Sequence, residues 1–261
     1  MASDAGTGEM IEIEDVSHHM GPARILDRVT TRLPRGRLTA LIGPNGAGKS
    51  TLLNLVARLL PLSAGRIRVE GMDVSHTPSH ELALRMAVLG QETSVSSRLR
   101  VRELVGFGRW PHHRGRPSPA DAAAVEEALA AFDLAPLAGR FLDELSGGQR
   151  QRAFVAMAFA QGTDWLLLDE PLNNLDMAHA RALLERLRAA VRDGGRSAVL
   201  VVHEVNYAAA WADHIVALRD GRILAEGTPA EVLTPAVLRD LYGIDIAVGE
   251  HAGRPLVLHH A

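Results

Sequence analysis

Apolar and polar residues alternate along MIEIEDV, which begins at Met10, and again along ILDRVTTRL, which begins at Ile25. A period of two puts every second side chain on one face, so both stretches predict strands. LTALIG (38–43) is a short continuous apolar run, the pattern of a buried strand. It leads into PNGAGKS and then TLLNLVARLL, whose spacing predicts an apolar helix stopped by Pro61. GRIRVEG predicts another short strand, SHELALRM a helix, and AVLGQ a strand ending at Gln91.

From about 96 to 160 the period lengthens. RVRELVGFGRW and PADAAAVEEALAAF have helical spacing, the second capped by Ser118 or Asp121, with HHRGRPSP as a loop between them. LDELSGGQRQR (142–152) runs into a further apolar helical pattern. This block predicts a helical subdomain inserted into an α/β core. Strands and helices then alternate again. DWLLLDE predicts a buried strand ending in two carboxylates, MAHARALLERLRAAVRDGG a long helix with glycine stops, and SAVLVVHE a strand ending in histidine. ADHIVALRDGRILAEG predicts a hairpin, and the tail 246–261 is compatible with a second one. Residues 1–9, small and polar, are expected to fray. Residues 10–245 are expected to form one domain.

Composition narrows the function classes. The 261 residues are 47% hydrophobic, enough for a sizeable core. A net charge of −3 argues against a bulk nucleic-acid binder, which normally carries a basic excess. The absence of cysteine rules out disulfides and thiolate metal sites. MASDAGTGEM lacks the basic and apolar regions of a signal peptide. No apolar run approaches the ~18 residues that span a bilayer. The expectation is a soluble protein able to dock on a membrane protein. The basic residues are 27 arginines and a single lysine, Lys49.

That lysine sits in GPNGAGKS (43–50), which fits G-x-x-x-x-G-K-S/T between a strand and a helix. Glycines let backbone N–H groups close on phosphate oxygens, the lysine reaches the β and γ phosphates, and Ser50 offers a hydroxyl to Mg²⁺. Asp169, at the end of WLLLDE, suits Mg²⁺, and Glu170 suits the attacking water. An apolar strand ending in Asp-Glu is a weak signal alone, and a strong one about 120 residues after such a loop. His203 ends the next strand, where it suits either a γ-phosphate contact or a structural role. Gln91 alone is uninformative. SGGQ, at the start of a helix, offers a second anion site through unpaired amides and the helix dipole.

Lys49, Gln91, LSGGQ, LLLDEP, LNNLD and VVHE occur in the order and rough spacing of ABC-transporter ATPases, which the chain resembles from about 10 to 245. The resemblance implies an α/β fold: a P-loop NTPase core with an antiparallel β part and the inserted helical subdomain. It implies ATP and Mg²⁺ as cofactors, with the nucleotide at Gly43, Pro44, Asn45, Gly46, Ala47, Gly48, Lys49, Ser50 and Thr51. It also implies a head-to-tail dimer, in which Ser146, Gly147, Gly148 and Gln149 close on the γ-phosphate held by the partner. Asp176 would lie at the dimer interface. Glu170, His203 and Gln91 would be catalytic, and Ser50, Gln91 and Asp169 would hold the metal. The family usually stacks an aromatic residue on adenine at the position of Met20, with His18 and His19 beside it. A thioether can also pack on a ring.

RELVGFGRWPHH, LDEPLNNLDMAH and HEVNYAAAWADHIVALRDGRILAEGTPAEVL resemble the import ATPases of iron–siderophore uptake, a group that also serves haem and cobalamin. The implied partners are a second ATPase subunit, an integral-membrane permease and, indirectly, a substrate-binding protein, with no nucleic acid. The implied location is the cytoplasmic face of the cell membrane. Other ABC transporters and, below them, soluble non-transport ABC ATPases are the alternatives.

Overall fold

The computed structural model describes residues 10–90 and 98–259. Gln91 and the N-terminal segment 1–9 lie outside them. The chain divides into two units, Met1–Thr77 with Ser197–Ala261, and Pro78–Arg196.

The first unit begins with β1 (Met10–Met20) and β2 (Ala23–Pro34), an antiparallel pair. Then come β3 (Leu38–Ile42), α1 (Lys49–Val56), β4 (Ala64–Val69) and β5 (Met72–Asp73). β1 buries Ile11, Ile13 and Val16, the apolar face its alternation predicts. The strand order β2-β1-β4-β5 is antiparallel throughout. α1 ends at Val56, five residues before Pro61. Arg58 takes a left-handed φ of 54° and sends Nη1 to the carbonyls of Val74 (3.0 Å) and Thr77 (2.6 Å), which turns the chain early.

The second unit contains α2 (Ser79–Ala83), β6 (Met86–Leu89), α3 (Val101–Phe107), α4 (Trp110–His113), α5 (Pro119–Ala131), α6 (Gly147–Ala160), β7 (Trp165–Asp169) and α7 (Met177–Arg192). β6 and β7 pair in parallel from Met86↔Trp165 to Leu89↔Leu168. The helical stretch predicted over RVRELVGFGRW breaks at Gly108, where a Cβ would meet the Met157 carbonyl oxygen at 2.1 Å. α4 then includes His112 and His113, which were expected in a loop. Ser118 and Asp121 cap α5 together. The Ser118 amide donates to Asp121 Oδ2 at 2.9 Å, and the Asp121 amide donates to Ser118 Oγ at 3.3 Å. Arg109 adds a part-buried ion pair to Asp121 at 3.0 Å. Phe132 and Phe159 meet edge to face, 5.4 Å apart, under these helices.

The chain returns to the first unit as β8 (Ser197–Val201), α8 (Val205–Trp211), β9 (His214–Arg219), β10 (Arg222–Gly227), α9 (Pro229–Val232), α10 (Pro235–Tyr242), β11 (Ala247–His251) and β12 (Arg254–Leu258). β3 is parallel to both β8 and β9, and β9 forms the predicted hairpin with β10. A strand buried on both faces in a parallel arrangement needs a continuous apolar run. LTALI and SAVLV supply it, with every residue buried. This sheet presents the end of β3, and the loop that follows it, for chemistry.

Candidate functional site

β3 feeds the loop Gly43–Gly48, and the loop opens α1 at Lys49. Two glycines are sterically required. Gly43 has φ 143°, and a Cβ there would lie 2.1 Å from the Leu218 carbonyl oxygen. Gly48 has φ 96°, and its Cβ would lie 2.6 Å from Leu26 Cδ2. Gly46 has φ 77° with open space around it, at the exposed tip beside Asn45.

The loop curls around the lysine. Lys49 is buried, and its Nζ donates to the carbonyls of Gly43 at 2.8 Å and Pro44 at 2.9 Å. No acidic side chain occupies the first turn of α1, and Gly48 supplies no side-chain cap. The helix start therefore keeps its positive end unneutralised by its own side chains. Ser50 and Thr51 follow, half-buried. The arrangement suits a multiply charged anion with small hydroxyl donors beside it.

Three neighbouring side chains were candidates to meet a base. Met20 ends β1 opposite Ala23 and is 58% exposed. His18 is buried with Nδ1 3.2 Å from Ser63 Oγ, so its ring is committed to the sheet. His19 is exposed. His203 lies just beyond β8, also exposed, on the rim of a 340 Å³ cavity shared with Glu204, Tyr242, Ile246 and Val257.

The second unit holds the other predicted residues. β7 is wholly buried and ends at Asp169. Glu170 follows in a left-handed conformation, φ 51°. Asn173 closes the turn around it: its amide donates to the Glu170 carbonyl at 3.2 Å, and its Nδ2 donates to Glu170 Oε2. Gln151 of α6 donates to the Pro171 carbonyl at 3.3 Å and reaches the Glu170 carbonyl at 3.5 Å.

Ser146 caps α6, which begins at Gly147, where the sequence pattern placed its start. Ser146 Oγ accepts the Gln149 amide at 3.2 Å, and Gln149 Oε1 accepts the Ser146 amide at 3.0 Å. A Cβ on Gly148 would come within 3.0 Å of the Asn174 carbonyl oxygen, which fixes that glycine. Asp176 caps α7 and accepts two bonds from His179, from its amide and from Nδ1, both 2.8 Å. These bonds, the backbone one first, hold its carboxyl below the usual range.

Residues 26–173 match the family model described as ABC transporter. The chain belongs to the ABC transporter ATP-binding family. Members of this family are ATPases that hydrolyse ATP to drive transport. The cassette is 41% identical over 239 residues to the petrobactin import ATP-binding protein YclP of Bacillus subtilis, covering 92% of this chain and 95% of the relative. It is 41% identical over 257 residues to the hemin import ATP-binding protein HmuV of Pseudomonas entomophila, covering 95% and 99%. Its fold matches a solved metal-chelate type ABC transporter in an inward-facing conformation, with TM-score 0.82, 24% identity and 96% and 97% coverage. It also matches a dimeric bacterial ABC transporter cassette, with TM-score 0.77, 26% identity and 84% and 98% coverage. The mixed α/β fold is thus the cassette fold that the sequence implied.

Leu218 and Gln151 meet site residues, yet no sequence motif pointed to them. Leu218 comes from a strand far along the chain from the loop it meets. Gln151 follows a recognised motif but acts through backbone carbonyls, which leave no trace in residue type.

Proposed function

We propose that this cassette energises import of a ferric siderophore through a membrane permease, working as a head-to-tail homodimer on the cytoplasmic face of the membrane. Likeness over almost the whole chain to import ATP-binding proteins of iron chelates carries this reading. Lys49 and backbone N–H groups of the 43–51 stretch, Pro44 having none, hold the ATP phosphates. Glu170 takes a proton from the attacking water, and His203 meets the γ-phosphate. Ser146, Gly147, Gly148 and Gln149 complete the site of the partner subunit, and Asp176 lies at the interface between subunits. Gln91 senses the metal and water on behalf of the permease.

The donor set fits Mg²⁺. Ser50 and Asp169 are hard oxygen donors, and among the described residues no group of three His, Asp or Glu side chains converges as a protein-built metal site. Mg²⁺ keeps several waters and is held through one or two protein oxygens plus substrate phosphates. When bound with ATP it supplies charge neutralisation at the β and γ oxygens. Among the described residues no helix is long and apolar enough to cross a membrane. Phe107 (50% exposed) and Trp110 (56% exposed) on α3 and α4 suit a permease that carries the chelate.

A haem-import reading stands second, because relatives named for hemin import are 40–43% identical, in the same range as the siderophore group. The test is a deletion strain grown with single purified iron sources. Loss of growth on one siderophore, restored by the wild-type gene but not by Glu170→Gln, is expected. Intact siderophore uptake with failed haem or cobalamin uptake refutes the siderophore assignment.

A further inference from the structure

Within the second unit, the residues that lead into Ser146 are stapled to the stretch that opens α3. Arg100 and Phe141 form a short antiparallel bridge. Backbone bonds flank it. The Leu142 amide donates to the Leu99 carbonyl at 2.9 Å. The Val101 amide donates to the Arg140 carbonyl, and the Arg102 amide to the Ala138 carbonyl, both at 3.0 Å. Arg100 Nη1 adds a bond to the Gly139 carbonyl.

Phe141 is the centre of this staple. The guanidinium of Arg98 lies over its ring, 4.1 Å from the centroid, and that of Arg100 lies 4.6 Å from it. Two cations on one ring repel each other, and nearby carboxylates offset this. Arg98 reaches Asp143 at 3.6 Å and Glu144 at 3.9 Å. From the ring to Ser146 the chain is fixed step by step. The Phe141 amide donates to Glu144 Oε2, and the Glu144 amide donates to the Phe141 carbonyl, both at 3.1 Å. The 3₁₀ turn Leu142–Glu144 buries Leu142. Leu145 is extended, φ −90° and ψ 148°, and delivers Ser146 to the cap of α6.

We propose that Phe141 is a positioning residue for Ser146: held by two guanidiniums, its ring pins the turn from which the serine departs. Ser146 and Gly147 are exposed, so no packing of their own fixes them. Without the ring the backbone bonds remain, but the turn gains orientations that must be lost again when the dimer closes. The ring thus acts on the partner's nucleotide site without touching the nucleotide. This inference rests on the reading of Ser146–Gln149 as the segment that completes the partner's ATP site.

The test is Phe141→Leu, which keeps apolar volume but offers the arginines no ring. Phe141→Tyr is the rescue variant. Arg102→Gln is the control: it removes the Arg102–Glu126 ion pair from the same stretch and leaves the ring alone. All are made in the full chain carrying Glu170→Gln, so that ATP persists. ATP-dependent dimerisation is followed by sedimentation, and ATP affinity is measured on the dilute monomer. Loss of the cation–π contacts predicts a dimer dissociation constant raised about fivefold or more in Phe141→Leu. Monomer ATP affinity should be unchanged, because Lys49 and its loop belong to the other unit. Phe141→Tyr should restore dimerisation, and Arg102→Gln should not alter it. An unchanged dimer constant in Phe141→Leu overturns the proposal. So does an equal loss of monomer ATP affinity, which would mean general loosening, or a tyrosine that fails to rescue. If Phe141→Leu does not fold, Arg98→Gln decides, since it removes one cation and keeps the ring; an unchanged constant there overturns the proposal. A parent Glu170→Gln chain that binds ATP yet stays monomeric would instead bring down the head-to-tail reading on which the inference stands.

Discussion

Alanine placed at each of three loop glycines should separate backbone strain from collision. At Gly46 the added Cβ meets nothing within 4 Å, so only the left-handed φ of 77° counts. That conformation costs a non-glycine residue about 1–2 kcal/mol. At Gly48 the same kind of cost applies, and the Cβ lies 2.6 Å from Leu26 Cδ2 and 3.0 Å from the Ile25 carbonyl oxygen. A leucine methyl at the end of its side chain can rotate away, so the total is about 2–3 kcal/mol. At Gly43 the Cβ would lie 2.1 Å from a backbone oxygen of β9, where ordinary contact begins at 3.4 Å. Backbone must then move by about 1.3 Å between paired strands, β3 buried throughout and β9 buried from Ile215 to Leu218, and nothing there is free to rotate. With the strain at φ 143° added, the cost is about 4 kcal/mol or more, a large part of a typical ~5–15 kcal/mol stability. Urea unfolding of the nucleotide-free chain measures all three. The expected order of loss is Gly43→Ala, then Gly48→Ala, then Gly46→Ala. A Gly43→Ala protein as stable as Gly46→Ala would refute the steric reasoning.

Asp121 should give the chain an acid-labile component. The Ser118 hydroxyl, then its amide, then Arg109 hold the Asp121 carboxyl well below the usual range. A depressed value stabilises the fold above the ordinary carboxylate pKa, and that contribution fades as pH falls below about 4. Asp121→Asn should be less stable at neutral pH and show a flatter acid limb in pH-dependent melts; an unchanged limb would discard the assignment. Mixing Lys49→Ala with Ser146→Arg subunits should restore some ATPase activity absent from either homodimer, since one of the two composite sites is intact. No recovery in proven heterodimers would count against the head-to-tail arrangement. Met20→Tyr should tighten ATP binding several-fold, by up to ~1 kcal/mol of ring stacking. With His18 tied to Ser63, an unchanged dissociation constant would point to His19 as the stacking side chain.

What the sequence made legible was local. A loop of glycines between a buried strand and a helix start, a serine–aspartate box before α5, and the β9–β10 hairpin all declare themselves within a dozen residues. The fold class rests instead on the order and spacing of motifs spread from about 10 to 245. The missed features are set from afar. α1 stops at Val56 because Arg58 finds carbonyls 16 and 19 residues away. The helix expected over 100–110 breaks at Gly108, which lies against the Met157 carbonyl. Leu218 reads as one more apolar strand residue, and only folding sets its carbonyl against Gly43. Side chains that serve the site through backbone groups leave no motif to find.

The lone lysine turns the phosphate loop into a self-reporting element. Apart from the α-amino group, Lys49 is the only primary amine in the chain. It is buried, with its nitrogen committed to two carbonyls of its own loop. An acylating reagent that spares arginine therefore has a single internal target, reachable only when that curl loosens. The rate of modification becomes a clock for loop opening, read by intact mass and needing neither a reporter nor a mutation. Every arginine that another protein would have spent as lysine keeps that readout free of background.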